Sequence, residues 1–95
     1  MVHKALLLLR KMPRGRVVSY GELARACRTS PRAIGMIMKN NKDPVRYPCY
    51  KVIKADGSIG GYSKGIGKKI KLLKGDKIKI KNNRVDKKYF YVFSV

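Results

Sequence analysis

Residues 19–40 read SYGELARACRTSPRAIGMIMKN, and this stretch contains the start signals of two short helices. Ser19 followed three residues later by Glu22 forms a capping box, which predicts a helix that opens at Ser19. Ser30 is a favoured N-cap, and Pro31 suits the first position of a helix, so a second helix is predicted over the rest of the stretch. Two short helices joined by a polar turn predict a helix-turn-helix, whose second helix can enter a DNA groove.

The apolar residues of these two helices recur at helical spacing, which predicts one buried stripe on each. The residues predicted to face the core are Leu23, Ala24 and Cys27 on the first helix and Ile34, Ile37 and Met38 on the second. A cysteine on an apolar helix face is usually a small inert core residue, and this is the expectation for Cys27.

The flanking segments predict two more helices and a little β-structure. Residues 2–11 are rich in helix formers and stop before Pro13, and residues 68–74 predict a short basic helix. Val52-Ile53 is a candidate strand, and Asn82-Asn83 predicts the turn of a C-terminal hairpin that continues through Val85 and residues 89–93. The predicted fold class is mainly α with small β, a winged-helix-like helix-turn-helix domain with a C-terminal β-hairpin. Residues 1–75 form its main part, and residues 76–95 form a hairpin extension of the same domain.

The charge balance points to a polyanionic partner. The 95 residues contain 24 Lys and Arg against 5 Asp and Glu, a formal net charge of +19. Nucleic acid is the first candidate, because neutralised phosphates release counterions, and an anionic membrane surface is the alternative. The apolar run Leu6–Leu9 is too short to span a membrane and is not followed by a cleavage site. The basic residues from Lys64 to Lys81 are expected to form a phosphate-facing or solvated surface.

Cysteine usage indicates a reducing compartment. Two cysteines, Cys27 and Cys49, are too few for a disulfide framework, and no Cys/His cluster has zinc spacing. We therefore expect a cytoplasmic, nucleoid-associated protein without a metal or an organic cofactor.

Cys49 lies in the motif Pro48-Cys49-Tyr50-Lys51-Val52, between the predicted helix-turn-helix and a glycine-rich turn. Most free cysteines are small buried hydrophobes, which is the plain alternative for this one. In a very basic chain, however, the motif suggests a thiol kept for reaction beside bound nucleic acid. A thiol is nucleophilic only as a thiolate, and its ordinary pKa of about 8.5 is lowered by nearby Lys and Arg.

Four blocks together carry a resemblance to a known family. The chain from Leu6 to Asp76 resembles the C-terminal DNA-binding and active-site domain of the O6-alkylguanine-DNA alkyltransferases. The blocks are GRVVSYGELA at 15–24, SPRAIG at 30–35, PCYKV at 48–52 and GSIGGYS at 57–63. Members of this family flip a damaged guanine out of duplex DNA and move its O6-alkyl group irreversibly onto their own cysteine, in a single turnover.

The resemblance implies a role for each matching residue. Cys49 would be the alkyl acceptor, and Arg32, at the start of the recognition helix, would fill the gap left by the flipped base. Tyr20 would press the target phosphate round, and Asn41 would brace the active-site turn. Asp76 falls where the family has a glutamate. Further DNA contacts are implied for Ser30, Ala33, Gly35, Lys39 and Lys51, and the loop that contacts the damaged base would comprise Gly60, Gly61, Tyr62 and Ser63. The family holds its recognition helix in the minor groove.

One departure from the family concerns thiol activation. Family members have a histidine after the cysteine, where this chain has Tyr50. A tyrosine cannot act as a neutral base in the same way, because its unperturbed pKa is about 10. It could still donate a hydrogen bond to a thiolate that Lys51 stabilises. We expect Cys49 to react, but more slowly than a thiol assisted by histidine.

The start of the chain gives an alternative function. Met1 falls where the family's C-terminal domain begins, so we expect a monomer without the usual N-terminal domain, and a partner protein is the expected source of that domain. Short alkyltransferase-like relatives bind alkylated DNA without repairing it, but they replace the acceptor cysteine that is retained here. We expect a minimal transferase that acts on double-stranded DNA containing O6-alkylguanine. The alternatives are a lesion-binding module disabled by Tyr50 and a basic architectural or ribosomal protein.

Overall fold

The computed structural model describes residues 3–62 and 65–94. Its helices are α1 (Lys4–Arg10), α2 (Tyr20–Cys27), α3 (Pro31–Lys39) and α4 (Ile66–Gly75), with 3₁₀ helices at Cys49–Lys51 and Lys87–Tyr89. Its strands are β1 (Val18–Ser19), β2 (Val52–Ile53), β3 (Ile80–Lys81) and β4 (Arg84–Val85). The predicted fold class, mainly α with small β, is confirmed. No helix in the described part of the chain combines the length and the apolar character needed to cross a membrane.

The two helix starts of the helix-turn-helix are confirmed. The Ser19 hydroxyl accepts the backbone N–H of Glu22 at 3.0 Å, and the Ser30 hydroxyl accepts that of Ala33 at 3.1 Å. Ser19 itself is extended and caps α2 from outside, so this helix begins one residue later than predicted. The Glu22 carboxylate accepts hydrogen bonds from Arg25 and from the backbone N–H of Phe93, both at 2.8 Å.

A tight turn joins α2 to α3. Arg28 ends α2 in the left-handed region with φ 56°, and the backbone N–H of Thr29 returns to the carbonyl of Ala24 at 2.9 Å. The Ala24 carbonyl also accepts the backbone N–H of Arg28, and the added 6→1 bond is typical of a helix that ends on a left-handed residue. The predicted stripes lie inside, with Ile37 and Cys27 half-buried and packed against the core that contains Leu23 and Ile34.

Two parallel strands connect the helix-turn-helix to the cysteine motif. β1 pairs with β2 in the register Val18↔Val52 and Ser19↔Ile53. This pairing places the 3₁₀ helix that contains Cys49 next to the start of α2. Cys49 belongs to a core cluster that includes Leu9, Leu23 and Ile34, while a second cluster forms around Val17, Ile53, Ile59, Leu73, Ile78 and Val85.

The C-terminal hairpin is confirmed at its turn but is shorter than predicted. β3 and β4 pair as Ile80↔Val85 and Lys81↔Arg84. Asn82 and Asn83 have φ values of 54° and 59°, as a two-residue hairpin turn with left-handed residues requires. Residues 89–93 do not continue the hairpin, because the Asp86 side chain caps a 3₁₀ helix that redirects the chain.

The last described residues, 89–94 (the tail), pack against the segment around Val17. The backbone N–H of Val17 donates to the carbonyl of Tyr89 at 2.8 Å, and that of Tyr91 donates to the carbonyl of Val17 at 2.7 Å. Phe93 is buried in the same cluster as Leu9 and Cys49. The tail therefore contributes Phe93 to the core.

Gly57 gives a stability prediction, because it has φ +91° and touches the hairpin. A Cβ at this position would lie 2.6 Å from the Val85 carbonyl oxygen. We expect Gly57→Ala to lower the free energy of unfolding by about 2 kcal/mol, measured by urea denaturation. Gly67→Ala is the matched control, since Gly67 lies within α4 and its Cβ would meet nothing within 4 Å. Equal stability of the two variants would contradict this prediction.

Candidate active site

A cavity of about 340 Å³ brings together residues from all the blocks of the sequence analysis. Its lining residues are Tyr20, Gly35, Met38, Lys39, Cys49, Gly61 and Tyr62. All but Met38 were predicted as site residues. Tyr20 is the first residue of α2, and Gly35, Met38 and Lys39 belong to α3, so the cavity adjoins both helices of the helix-turn-helix.

Cys49 lies in the wall of this cavity at the start of a 3₁₀ helix. Its backbone N–H donates to the carbonyl of Tyr47 at 2.7 Å, and the residue is only 4% exposed. The thiol is free rather than disulfide-bonded. A group must enter the cavity to reach it, so the fold favours reaction with an inserted substrate over reaction with bulk solutes.

Asn41 braces the turn that precedes Cys49. Its side-chain Nδ2 donates to the Tyr47 carbonyl at 2.8 Å, and its Oδ1 accepts the backbone N–H of Asp43 at 3.0 Å. The Tyr47 carbonyl therefore accepts both Asn41 and the N–H of Cys49. This is the bracing geometry that the resemblance implies.

Tyr50 does not have the partner proposed for it from sequence. Its hydroxyl donates to Asp76 Oδ2 at 2.5 Å, and Arg14 Nε lies 3.3 Å from the other carboxylate oxygen. The expected hydrogen bond to a Cys49 thiolate is thus replaced by one to a carboxylate. Burial, followed by this hydrogen bond and the negative charge of Asp76, raises the pKa of Tyr50 well above its usual value. Tyr50 is a neutral phenol that cannot take the thiol proton.

Lys51 is not on the DNA-facing surface where it was predicted. The residue is 5% exposed, and its Nζ donates to the Pro13 carbonyl at 3.3 Å. The 3₁₀ helix at Cys49–Lys51 turns this side chain inward, and burial lowers the pKa of its ammonium. A lysine that is buried and donates to a backbone carbonyl is not available for a phosphate contact.

Lys69 is a buried lysine next to the cavity whose position the sequence analysis did not predict. It was expected on a phosphate-facing or solvated surface, yet it is 0% exposed. Its Nζ donates to the Val52 carbonyl at 2.7 Å and to the Gly61 carbonyl at 3.1 Å. Its position four residues before the buried Leu73 was the one available signal, because residues at this spacing share a helix face.

The remaining predicted residues lie in or around α3 and the glycine turn. Ser30 and Arg32 are exposed at the N-terminal end of α3, Ala33 is half-buried, and Lys39 is exposed at the other end. Gly60 has φ +73°, and a Cβ there would lie 3.9 Å from Lys69 Nζ. Ser63 lies outside the described residues. Within residues 3–62 and 65–94, no group of three or more His, Cys, Asp or Glu side chains could hold a metal ion.

Comparison with known proteins identifies the family. The family model of the DNA-binding domain of 6-O-methylguanine DNA methyltransferase matches residues 1–78. A bifunctional methyltransferase/endonuclease of Picrophilus torridus is 47% identical over 85 residues, which cover 87% of this chain and 28% of that protein. The chain spans 26% to 51% of the length of such curated relatives.

Solved structures agree with this assignment. The crystal structure of O6-methylguanine-DNA methyltransferase from Pyrococcus kodakaraensis has a TM-score of 0.74 and 45% identity, and the match covers 79% of this chain and 44% of that one. Schizosaccharomyces pombe Atl1, in complex with damaged DNA containing O6-carboxymethylguanine, shares the fold with a TM-score of 0.81 at 22% identity, and the match covers 93% and 91% of the two chains. The chain therefore belongs to the family of 6-O-methylguanine DNA methyltransferase DNA-binding domains.

Proposed function

We propose that this protein repairs DNA by flipping O6-alkylguanine out of the duplex and transferring the alkyl group once, irreversibly, to Cys49. The observation that carries the proposal is the position of the Cys49 thiol, in the wall of a cavity that is bounded by Tyr20 and by α3. The cavity volume of about 340 Å³ lies in the range of pockets that hold small ligands. A single flipped base is a ligand of this class.

The DNA contacts of the proposal are assigned to α2 and α3. Arg32 is exposed one residue after the start of α3, where it can take the place of the extruded base. Tyr20, at the start of α2, can press on the target phosphate. Base flipping costs a few kcal/mol, least for a weakly paired damaged base, and phosphate contacts from a chain of net charge +19 offset this cost.

The reaction needs a thiolate that attacks the alkyl carbon while guanine leaves through its O6 oxygen. A neutral thiol is a poor nucleophile, so the proton must leave before the sulfur attacks. Asn41 contributes by fixing the turn before Cys49, through its bond to the Tyr47 carbonyl. No bound cofactor is needed, because the alkyl group passes directly from base to sulfur.

Intact-protein mass spectrometry tests the proposal. The protein is incubated with a duplex that contains one O6-methylguanine and, separately, with the same duplex without the lesion. We expect a mass gain of one methyl group only with the lesion, located on Cys49 by peptide mapping. No mass gain with the lesion would overturn the transfer proposal.

A second candidate function is lesion binding without transfer. Tyr50 favours it, because its hydroxyl is bonded to Asp76 and no histidine is there to accept the thiol proton. The mass experiment separates the two functions when it is combined with a binding titration. Tight, lesion-selective binding without added mass would support the binding module, and binding without preference for the lesion would support an architectural protein.

Thiol activation gives a prediction on Tyr50. We expect Tyr50→His to raise the rate of methyl transfer about tenfold, because an imidazole at this position, with Asp76 as its hydrogen-bond partner, supplies a base near neutral pH within the turn that contains Cys49. Single-turnover rates of the two proteins with the lesion duplex provide the measurement. Tyr50→Phe serves as the control that removes the hydroxyl without adding a base. A rate for Tyr50→His no higher than that of the wild type would count against this account of slow activation.

A further inference from the structure

α4 delivers a buried ammonium group to the neighbourhood of the reactive thiol. Lys69 is fully buried, and its Nζ donates to the carbonyls of Val52 and Gly61. Val52 follows the 3₁₀ helix that begins at Cys49, and Gly61 lines the same cavity as the thiol. An ammonium has three donors, and these two carbonyls use two of them. A buried lysine is costly to keep, so its place beside the reactive centre calls for an explanation.

Several ionisable groups face Cys49 from the elements packed around it. Tyr20 on α2 and Tyr62 in the loop after β2 line the cavity together with Cys49, and Lys69 on α4 donates from its Nζ to the carbonyl of Gly61, which lines the same cavity. Lys39 of α3 lines the same cavity. The pKa of each tyrosine is raised, first by burial, so both are neutral phenols without basic character. Lys39 is exposed, whereas Lys69 is fully buried, so Lys69 is the buried cation among these groups.

We propose that Lys69 activates Cys49, its amine accepting the thiol proton and its ammonium then remaining beside the thiolate, held by the Val52 and Gly61 carbonyls. Lys69 thereby accepts the thiol proton, which Tyr50 cannot do because it is a neutral phenol whose hydroxyl is bonded to Asp76. The proposal deepens the proposed transfer function and rests on it for the identity of the alkyl donor. Formation of the thiolate itself needs no DNA.

The steps balance in atoms and charge. The S–H bond of Cys49 breaks and an N–H bond forms on Lys69, giving a thiolate and an ammonium. The sulfur then bonds to the alkyl carbon, and the C–O6 bond breaks with its electron pair on guanine. The guanine anion takes up a proton, which the Lys69 ammonium returns through solvent.

The state of Lys69 near neutral pH suits this role. Burial lowers the pKa of Lys69 to about 8, against a smaller upward effect of the Cys49 thiolate. About a tenth of the molecules then carry the neutral amine at pH 7, far more than for an exposed lysine. An ammonium beside the thiol favours the thiolate, and a thiolate favours the ammonium.

The test uses iodoacetamide, a small electrophile that reports on thiolate without DNA. Rates of Cys49 alkylation are measured by intact mass from pH 5 to 10, in a Cys27→Ser background, for the reference protein, Lys69→Met and Lys68→Met. We expect Lys69→Met to lower the rate at pH 7 about tenfold and to move the midpoint of the rate profile up by about one pH unit. Lys68→Met removes the same charge from an exposed position on α4, so its profile is expected to stay unchanged. A folded Lys69→Met protein with the reference rate and profile would overturn the proposal.

Lysine NMR on the unmodified sequence gives a second test that does not depend on the variant folding. The side-chain Cε signals are titrated before and after Cys49 is alkylated with iodoacetamide. Alkylation replaces an ionisable thiol by a neutral thioether, so the lysine that titrates at the lowest pH is expected to move to a still lower pH. An unchanged titration would contradict the coupling. Neither test contains damaged DNA, so a failure here is distinguishable from an absence of alkyl transfer.

Discussion

Replacement of Cys49 by serine is expected to abolish methyl transfer from O6-methylguanine, with a loss of about 10³-fold or more in rate. A serine hydroxyl remains protonated at neutral pH, because it is a far weaker acid than a thiol, whereas a thiol yields a nucleophilic thiolate. The measurement is the intact mass after incubation with the lesion duplex, at times long enough for the wild type to react completely. Lesion binding is expected to persist, because the substitution removes no contact between α3 and DNA.

Cys27→Ser is the matched control for this experiment. Cys27 is the other cysteine of the sequence, half-buried at the end of α2, and burial raises the pKa of its thiol. The control protein is expected to take up one methyl group at the wild-type rate. Methyl uptake by the Cys49→Ser variant would show that the reactive thiol has been assigned to the wrong residue. Loss of methyl uptake in a folded Cys27→Ser variant would show the same.

Phe93→Ala is expected to lower the free energy of unfolding by about 3–4 kcal/mol, because it leaves a cavity in the core. Phe93 is 7% exposed, packs edge-to-face on Tyr91 with ring centroids 5.1 Å apart and belongs to the cluster that contains Cys49. Its backbone is also fixed, since its N–H donates to Glu22 and its carbonyl accepts from Arg25 at 2.7 Å. The side chain thus fills a site at the start of the helix-turn-helix.

Urea denaturation of Phe93→Ala beside Val92→Ala provides the measurement. Val92 precedes Phe93 directly and is 68% exposed, so its truncation is expected to change stability by less than about 0.5 kcal/mol. Similar free energies of unfolding for the two variants would mean that the tail does not contribute to the core. Phe93 lies beyond residue 78, where the match to the family model ends, so the experiment tests a core contact that the family model does not include.

Local signals in the sequence were sufficient for the elements of the fold. Ser19 and Ser30 fix the two helix starts because a cap hydroxyl reaches a backbone N–H only three residues away. Asn82-Asn83 fixes the hairpin turn because these residues tolerate the left-handed backbone that it needs. The residues lining the cavity, apart from Met38, were likewise predictable, although from the resemblance rather than from any local rule.

Partners that are distant in the chain could not be predicted in this way. Tyr50 meets Asp76 across 26 residues, and Phe93 meets Glu22 across 71. These contacts form only when α4 and the tail pack against the rest of the protein. Helix caps and residue spacing are local signals and do not predict that packing. The tail illustrates the point, because its alternating pattern predicted a longer hairpin, whereas Asp86 caps a 3₁₀ helix and the chain returns to Val17.

The amino-acid sequence by itself determined the helix-turn-helix, the turn chemistry and the presence of one cysteine in the motif Pro48-Cys49-Tyr50-Lys51-Val52. Only the tertiary structure decided which charged groups surround that cysteine, turning Lys51 and Lys69 inward and joining Tyr50 to Asp76. The physical reason is that helix caps and turns involve neighbouring residues, whereas the burial of a lysine depends on the carbonyls that distant segments bring to it. For Lys69 these are the carbonyls of Val52 and Gly61.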